Sequence, residues 1–478
     1  MAHARLRFLS DDDKQAIDEQ TMRVLATTGV AYNSPAAIDV LAGAGAQVDR
    51  ERLTARLTDD LVQAALRTTP AEVLLAARDP LLDVVVGGDH PLSVCSDGTA
   101  TYLLDDASGE RLPGTADRLR TVMRLLDALP ECDYVWPSLS ARDLDPATAN
   151  LEIEYISLSE CSKHLQDEVR GPEFVAPLVD LLEAVAGAPL KERPIFSTIN
   201  CTVAPLQHDA AMTQASIELA RRGVPIIVMP MPLMGTTAPA DPIGNCIVTM
   251  AEILSTVVLL QLAAPGCALI AAPEPGVADM RSGQYVCGAP EANLASIASL
   301  EMCRFYGLPN QIAGLGGDAR YSDYQEGAES AMSGLLAALA GADSLVGFGT
   351  LDGAQSFSLA DAVLDNDAMA GIRRHLGERS AGPATSLVDD IIAVGPGGHF
   401  LGCRSTRAML HAGGLWEPAV FRRGRPEGDP KALVREAAAR AAALLEAHEP
   451  LPLDDDVVRY AEDVIARYAR AGAAGPSA

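Results

Sequence analysis

The chain has 478 residues, of which 48% are hydrophobic and 21% charged, and this composition excludes a disordered chain and predicts a globular protein with a large core. It carries 37 Lys and Arg against 64 Asp and Glu, a formal net charge of −27. Such a charge disfavours nucleic acids and anionic membranes as partners, while it keeps a protein soluble and favours cationic small molecules.

The cysteines and the apolar segments indicate a cytoplasmic protein. Nine Cys residues are scattered along the chain with no Cys-x-x-Cys pair, which is typical of buried thiols in a reducing compartment. The N-terminus lacks the pattern of a signal peptide. Residues 246–265 are the most apolar stretch, but Glu252 and Gln261 within it predict a buried helix and not a membrane span.

Periodicity divides the chain into three parts. Residues 1–80 form a predicted N-terminal helical segment, with helices over 10–30 and 56–67. Residues 81–425 alternate short apolar runs with longer helical patterns and form the predicted catalytic domain, with helices over 209–222, 243–263, 290–306 and 324–340. Residues 426–478 form a predicted C-terminal helical extension, with helices over 430–446 and 455–470.

The alternation predicts an α/β fold, a (β/α)8 TIM barrel flanked by the two helical extensions. A strand near 94–97 competes for a place among the eight, and a doubly wound open sheet is the alternative architecture. The predicted strands are Tyr134–Ser138, Lys163–Gln166, Ile195–Asn200, Pro225–Met229, Ala268–Ala272, Gln311–Leu315, Ser344–Phe348 and Ile391–Val394.

The segments that follow these strands are rich in Gly and Pro, and in a barrel they meet at the face where active sites lie. Glycines such as Gly235, Gly316 and Gly317 let the backbone approach a ligand, although ordinary tight turns use the same residues. The chain has neither a Gly-x-Ser-x-Gly motif nor a Gly-x-x-x-x-Gly-Lys motif, which argues against the corresponding hydrolases and nucleotide-binding proteins.

Two short pairs, Cys161 with His164 and His399 with Cys403, offer ligands for a tetrahedral zinc site. Cys161 precedes a predicted strand and His164 lies within it, so their side chains should diverge. No metal site is therefore predicted.

Several loop sequences, in order, resemble those of the trimethylamine methyltransferase family. The resemblance covers roughly residues 90–425 and depends on the order and spacing of the segments. They are Pro230-Met231-Pro232-Leu233-Met234-Gly235-Thr236-Thr237-Ala238-Pro239, Pro275-Gly276-Val277-Ala278-Asp279-Met280-Arg281-Ser282-Gly283, Gly288-Ala289-Pro290-Glu291, Tyr306-Gly307-Leu308-Pro309 and Gly316-Gly317-Asp318-Ala319-Arg320.

The resemblance implies a (β/α)8 barrel that transfers a methyl group from a methylamine to the Co(I) of a corrinoid (cobalamin) on a separate corrinoid protein. It implies no corrinoid bound tightly by this chain, since no Asp-x-His-x-x-Gly segment occurs. Two departures from the family pattern concern the substrate. The chain has only standard residues where the trimethylamine-specific members use pyrrolysine. The family's His-Thr pair after His-Phe-Leu appears here as Ser405-Thr406, and Cys403 stands where another His often occurs.

The missing pyrrolysine favours a quaternary amine, such as a betaine, over trimethylamine. A quaternary nitrogen leaves as a neutral amine, so the protein needs only to orient the N–CH3 bond and exclude water. Aromatic faces or carboxylates would hold the cation, and a cation or backbone amides would hold a carboxylate.

Candidate site residues follow from their places after strands, with turn, cap or core roles as the alternative for each. Asp318 and Glu274 are the predicted catalytic residues. Asp318 would contact the substrate electrostatically or organise the loop, and Glu274 lies between two prolines that restrict its backbone. The predicted substrate-binding residues are Asp279, Arg281, His164, Asn200, Thr237, Phe348, Tyr134, Trp136 and Tyr285.

Two other functions stay open at this point. The methyl acceptor could be a small molecule such as a folate, or the chain could bind betaine-like ligands without catalysis. Barrels of this size commonly associate, so we expect a homo-oligomer, although no sequence pattern fixes its order.

Overall fold

The computed structural model of the chain describes residues 6–377, 385–423 and 432–473. Helices and strands alternate through most of it, as the periodicity predicts. The α-helices are Asp11–Thr27, Pro35–Gly43, Asp59–Thr68, Ala116–Ala128, Ala149–Glu160, Val175–Ala186, Ala210–Arg221, Pro242–Ala263, Pro290–Phe305, Tyr324–Ala340, Leu359–Leu376, Thr385–Val394, Arg404–His411, Ala432–Ala447 and Asp455–Ala473. Short 3-10 turns lie at Pro80–Leu82 and Pro172–Phe174.

Two parallel sheets form the centre of the molecule. The first pairs Leu165–Glu168, Phe196–Val203, Ile226–Met229 and Leu269–Ala271 in that order. The second pairs Gln311–Ala313 with Ser344–Phe348, and the latter with Ser93–Ser96.

Single parallel bridges connect these two sheets. Ala271 pairs with Asn310 at one junction, and residues 134–135 join Cys95 to Leu165 at the other. The pairings thus return to their starting strand after eight parallel segments, which we call the strand ring. One helix follows each segment before the next begins, which is how parallel neighbours are connected.

Eleven shorter strands form hairpins and loop pairings, and two more form the hairpin described next. They are Val30–Ala31, Gln47–Asp49, Thr54–Arg56, Tyr102–Leu104, Arg111–Pro113, Gln207–His208, Leu233–Met234, Gly276–Ala278, Tyr285–Val286 and, after the last ring strand, the pair Thr350–Leu351 with Ser356–Phe357.

The hairpin Glu72–Leu75 with Val84–Gly87 packs against the interior of the strand ring. Its apolar side chains, Val73, Leu75 and Val86, join one cluster with ring side chains such as Ile199 and Ile270. The carbonyl of Ala76, directly after the first strand of the hairpin, contacts His164, which precedes the third ring strand. The hairpin therefore covers the amino ends of the strands and leaves the carboxyl ends free for a site.

One predicted strand is wrong. Residues 391–394 lie in the helix Thr385–Val394, and the competing segment near 94–97 supplies the ring strand Ser93–Ser96. A four-residue apolar run satisfies both a buried strand and one face of a helix, so periodicity does not separate the two. The predicted helices over 209–222, 243–263, 290–306 and 324–340 are confirmed within a few residues.

The helix Pro242–Ala263 is the one described helix long and apolar enough to cross a membrane, and 78% of its apolar window is buried inside the structure. Asp241 caps its start by accepting hydrogen bonds from the backbone N–H groups of Ile243 and Gly244. The helix packs against Pro290–Phe305 and the N-terminal helix Asp11–Thr27, so it is a core helix as predicted.

The N-terminal part adds three helices and short strands to the outside of the ring. At the other end of the chain, Ala432–Ala447 packs on Leu359–Leu376, and Asp455–Ala473 packs on Val175–Ala186. The predicted domain boundary at 425/426 lies outside the described residues.

Candidate active site

A cavity of about 460 Å³ opens at the carboxyl ends of the strand ring. Its size is that of a small-molecule site. Loops from most of the ring strands contribute to its wall, so the site depends on the whole fold. Its polar and aromatic lining includes Asp97, Trp136, Glu168, Arg170, Cys201, Glu274, Tyr285, Cys287 and Thr350, and its glycines include Gly316 and Gly317.

Glu274 is a buried carboxyl group in the wall of this cavity. Its backbone N–H donates to the carbonyl of Pro230 at 3.0 Å, and prolines precede and follow it, so the loop is rigid. Its Oε1 has no hydrogen-bond partner. Burial, with a smaller contribution from Asp97, raises the pKa of Glu274 well above its ordinary value.

Asp97 is a second cavity carboxyl group, and it was not predicted from the sequence. It accepts hydrogen bonds from Thr350 Oγ1 at 2.8 Å and from the backbone N–H of Gly98 at 2.7 Å. Burial raises its pKa as well. Its sequence context, Ser96-Asp97-Gly98-Thr99, is that of an ordinary turn, so only its position after a ring strand could have marked it.

Two aromatic side chains complete the inner wall, as predicted for Trp136 and Tyr285. The indole Nε1 of Trp136 donates to Asp167 Oδ1 at 2.9 Å. Gly98 makes room for the ring, because a Cβ there would lie 2.9 Å from Trp136 Cζ2. Gly276 does the same for Tyr285, whose ring a Cβ would overlap.

Asp318 lies behind the cavity wall and organises it. Its carboxylate accepts hydrogen bonds from the backbone N–H groups of Cys287 and Gly288, at 2.9 and 2.8 Å. Its own backbone N–H donates to Glu329 at 2.7 Å. Because Cys287 follows Tyr285 on one short loop, Asp318 positions that aromatic wall and does not line the cavity.

The rim of the cavity carries a charged pair that was not predicted from the sequence. Arg170 Nε donates to Glu168 Oε2 at 2.9 Å, and Arg170 is the one Lys or Arg among the described residues that line the cavity. Cys201 Sγ lies 3.5 Å from Glu168 Oε1. Burial raises the pKa values of the Cys201 and Cys287 thiols, so neither is a thiolate nucleophile at neutral pH.

His164 and Tyr134 lie away from the cavity. The two ring nitrogens of His164 contact the Ala76 carbonyl and Ser197 Oγ, both at 2.9 Å, and burial lowers its pKa to about 4. The Tyr134 hydroxyl bonds to Ser344 and Gln311 inside the ring. Both residues come from the starts of strands, near the hairpin, so they are structural. Cys161 bonds to Asp127 and diverges from His164, as the sequence predicts.

Asn200 and Phe348 point outward from the strand ring. The Asn200 amide donates to Ser216 on the helix Ala210–Arg221. Phe348 would face inward with Val346 by simple alternation, but the pairing register shifts between them, where Gly347 has a φ of 139°. Phe348 therefore packs in the outer core.

The remaining predicted residues stabilise loops outside the cavity lining. Asp279 accepts from the Arg281 backbone N–H and from Ser282 Oγ, and the Arg281 side chain is exposed. Thr237 Oγ1 accepts from the backbone N–H of Leu233 in the turn that contains Gly235. Among residues 6–377, 385–423 and 432–473, no group of three or more His, Cys, Asp or Glu side chains could hold a metal ion.

The cavity is therefore small, aromatic on one side and rich in carboxyl groups. A site with three lining carboxyl groups, Asp97, Glu168 and Glu274, against one arginine favours a cationic ligand. The thiols that line the cavity are neutral, and no lining base lies beside a nucleophile. The cavity residues can therefore act on a ligand by positioning it and by electrostatic stabilisation.

Comparison with known proteins assigns the family. Residues 2–473 match the family described as trimethylamine methyltransferase (MTTB). The trimethylamine methyltransferase MttB of Desulfitobacterium hafniense (strain DSM 10664 / DCB-2) is 27% identical over 96% of this chain and 93% of its own length. A glycine betaine methyltransferase of D. hafniense (strain Y51) is 29% identical over 84% of both chains.

A solved structure supports the fold. The monomethylamine methyltransferase MtmB of Methanosarcina barkeri superposes with a TM-score of 0.55, covering 93% of this chain and 88% of that one, at 13% sequence identity. At this identity the similarity concerns the fold alone.

Proposed function

The chain belongs to the trimethylamine methyltransferase family and is a methyltransferase, and from this premise we propose that its methyl donor is a betaine-type quaternary amine. The proposed acceptor is the Co(I) of a corrinoid carried by a separate protein. The cavity at the carboxyl ends of the strand ring is the proposed amine site.

The observation that carries this proposal is the buried carboxyl group of Glu274, whose Oε1 has no partner. An unpartnered buried carboxyl group is costly unless it is protonated or a ligand compensates it. A quaternary ammonium group placed between Glu274, Trp136 and Tyr285 would supply that compensation through charge and through the aromatic faces. The likeness to a glycine betaine methyltransferase agrees with this class of substrate.

The reaction requires little acid or base chemistry from the protein. The N–CH3 bond breaks with its electron pair going to nitrogen, which leaves as a neutral tertiary amine. The two electrons of the new bond to the methyl carbon come from Co(I), so atoms and charge balance without proton transfer. Glu274, Trp136 and Tyr285 bind and orient the cation, and the apolar wall excludes water.

Arg170 suits the carboxylate of a betaine. It lies at the rim of the same cavity, and its guanidinium group already binds a carboxylate, that of Glu168. A betaine would then span the cavity, with its cation at Glu274 and its carboxylate at Arg170. Trimethylamine has no carboxylate that Arg170 could bind.

The methyl acceptor must approach the cavity from outside this chain. A cavity of about 460 Å³ takes a small amine and not a whole corrinoid as well, so the corrinoid would approach through the mouth, presented by its carrier protein. We also place the protein in the cytoplasm, which agrees with its nine free cysteines.

We further infer that the strand ring and its helices are a (β/α)8 barrel. The eight parallel segments, the return of the pairings to the first strand and the likeness to MtmB support this architecture. In such a barrel the carboxyl ends of the strands are the functional face, where the cavity lies.

The test combines the protein with chemically reduced Co(I) cobalamin and, separately, glycine betaine, carnitine, proline betaine and trimethylamine. We expect an absorbance change to methyl-Co(III) with at least one betaine and none with trimethylamine. Tetrahydrofolate in place of cobalamin examines the other acceptor. Amine binding without transfer to either acceptor would contradict the proposal and favour a binding protein.

A further inference from the structure

A second cavity, of about 580 Å³, lies on the outer side of the strand ring, and we call it the side cavity. The helices Tyr324–Ala340 and Leu359–Leu376 form most of its wall, and Trp416, Phe421 and Val434 complete the wall. None of its described lining residues also lines the candidate active site. The side cavity is therefore a separate place at which a ligand could bind.

The side cavity is acidic. Five carboxyl groups line it, whereas no Lys or Arg among the described residues does. His375 is the one described lining residue that protonation would make cationic, and it is exposed and contacts the carbonyl of Gly371 at 2.7 Å. The lining thus favours a cationic ligand. The five carboxyl groups are those of Asp323, Glu326, Asp361, Asp365 and Asp367.

Three of these carboxyl groups have structural roles. Asp323 caps the first of the two helices by accepting hydrogen bonds from backbone N–H groups. Asp365 accepts hydrogen bonds from a serine hydroxyl and from a backbone N–H, at 2.9 and 2.8 Å. Asp367 accepts from the backbone N–H groups of residues 419–421, at 2.6 to 2.8 Å, and so fixes the segment that carries the aromatic part of the wall.

Glu326 lines the same cavity without such partners. It is only 1% exposed, and neither of its carboxyl oxygens has a hydrogen-bond partner among the described residues. Asp361 and Asp365, which lie close to it, are also buried. A buried carboxyl group without donors is costly, and a ligand that brings both positive charge and N–H donors removes that cost. Glu326 therefore indicates what the ligand must offer.

The side cavity extends from this acidic end to an aromatic one. Six residues of helix separate Asp365 from Gly371, about 9 Å at 1.5 Å per residue. A Cβ at Gly371 would lie 3.6 Å from Trp416 Cη2, so the indole lies at this far end. Leu364 and Ile372 line the space along the same helix. A ligand that fills the cavity needs an apolar part beside its cationic group.

Two kinds of cation do not suit this lining. Within the described ranges, no group of three or more His, Cys, Asp or Glu side chains is arranged to hold a metal ion. A quaternary ammonium group has charge but no N–H, so it would leave both oxygens of Glu326 without donors. A protonated primary amine has three N–H donors and the charge.

We propose that the side cavity binds a protonated primary amine that carries an apolar chain or ring. The ammonium group donates to the two unpartnered oxygens of Glu326 in charge-assisted hydrogen bonds. The apolar part lies along Leu364 and Ile372 toward Trp416. This ligand differs in class from the quaternary amine of the candidate active site, so the inference is independent of the proposed function.

Titration calorimetry of the full chain with hexylamine tests the site, at pH 9, where an alkylamine is still mostly protonated. We expect saturable binding of one molecule per chain and a Kd about tenfold or more higher in Glu326→Gln. Glu51→Gln removes one exposed charge, and Glu274→Gln alters the candidate active site. Both of these variants should keep the wild-type Kd for hexylamine.

Three further probes test the class of ligand. Methylamine lacks the apolar chain, hexanol lacks the charge, and hexyltrimethylammonium lacks the N–H donors. Each should bind the wild type about tenfold or more weakly than hexylamine does. Hexyltrimethylammonium that binds as tightly as hexylamine would overturn the assignment to a primary amine.

The site itself has its own contrary outcomes. An equal Kd for hexylamine in the wild type and Glu326→Gln, or no saturable binding to the wild type, would overturn it. Loss of hexylamine binding in Glu274→Gln would place the ligand in the other cavity and would also overturn it. Glu326→Gln nearly preserves the shape of the side chain, and thermal unfolding confirms that this variant is folded.

Discussion

Trp136 Nε1 donates a hydrogen bond to Asp167 Oδ1 at 2.9 Å, and this bond fixes the indole that walls the candidate amine site. Glu154 hydrogen-bonds to Asp167 in turn, and burial raises the pKa values of both carboxyl groups. The aromatic wall thus depends on a carboxyl pair that does not line the cavity.

Replacing Asp167 by Ala should weaken amine binding by about fivefold to thirtyfold, the cost of about 1–2 kcal/mol for a mobile ring. Asp167→Asn keeps an acceptor oxygen and should weaken it less. The chain has two tryptophans, so fluorescence in a Trp416→Phe background reports on Trp136 alone. Unchanged amine affinity and an unchanged Trp136 spectrum in Asp167→Ala would contradict this role.

Amine binding should strengthen as pH rises. Burial raises the pKa of Glu274 well above its ordinary value, so its neutral form persists to higher pH than that of an exposed Glu, whereas its ionised form attracts the cation. A quaternary nitrogen has no proton to lose, so the pH dependence belongs to the protein. The apparent Kd should fall by up to about tenfold per pH unit below that pKa.

Glu274→Gln provides the control for this pH dependence. The amide is neutral at all pH values, so binding should be weaker and nearly independent of pH. Titration calorimetry from pH 6 to pH 9 measures both proteins. A wild-type Kd that is flat over this range, or that rises with pH, would disagree with a cation held by Glu274.

Gly98→Ala should impair amine binding while leaving the fold intact. The added Cβ would lie 2.9 Å from Trp136 Cζ2, so the ring must move into the cavity or away from it. We expect KM to rise about tenfold. Gly43→Ala, where a Cβ meets nothing within 4 Å, is the matched control and should leave KM unchanged. Equal KM values for the two variants would show that the cavity does not use the face of Trp136.

Glu326 should make the protein less stable at high pH. Burial, together with Asp361 and Asp365, raises its pKa to about 10, while the unfolded value is near 4.5. Because the folded pKa is the higher, the stability contributed by the protonated group is complete below about pH 4.5 and is lost as pH rises toward 10.

The Glu326→Gln variant should therefore lose less stability than the wild type when the pH is raised from 5 to 9. Its melting temperature at pH 9 should be higher than that of the wild type. Glu51→Gln, at an exposed position, controls for the loss of one charge. Thermal unfolding at the two pH values gives the comparison. Parallel pH slopes for Glu326→Gln and the wild type would contradict the buried, protonated state.

Sequence patterns identified most ring strands because each is a short, apolar run before a helical pattern. They failed where a short apolar run fits both a strand and a helix: residues 391–394 match a strand pattern but lie in a helix. In the site, Glu274 was found because two prolines fix its loop. Asp97 was missed because an Asp-Gly pair is also an ordinary turn.

Sequence patterns also did not predict how deep in the strand ring a side chain lies or whether it points inward or outward. A sequence does not say at which height inside the ring a side chain lies, so His164 and Tyr134 were predicted in the site and lie near the hairpin instead. Phe348 was predicted in the site but points outward, because the strand register shifts at Gly347 and alternation alone does not predict such a shift. Asp318 was predicted either to contact the substrate or to organise the loop, and its hydrogen bonds to Cys287 and Gly288 support the second role.

The most direct test of the proposed function is the stoichiometry of one reaction. Wild type and Glu274→Gln are incubated with Co(I) cobalamin and glycine betaine, and both methyl-Co(III) and the demethylated amine are quantified. We predict one tertiary amine per methyl-Co(III) for the wild type and a rate at least tenfold lower for Glu274→Gln. Equal rates for the two proteins, or methyl-Co(III) without the demethylated amine, would contradict methyl transfer from a quaternary amine held at this cavity.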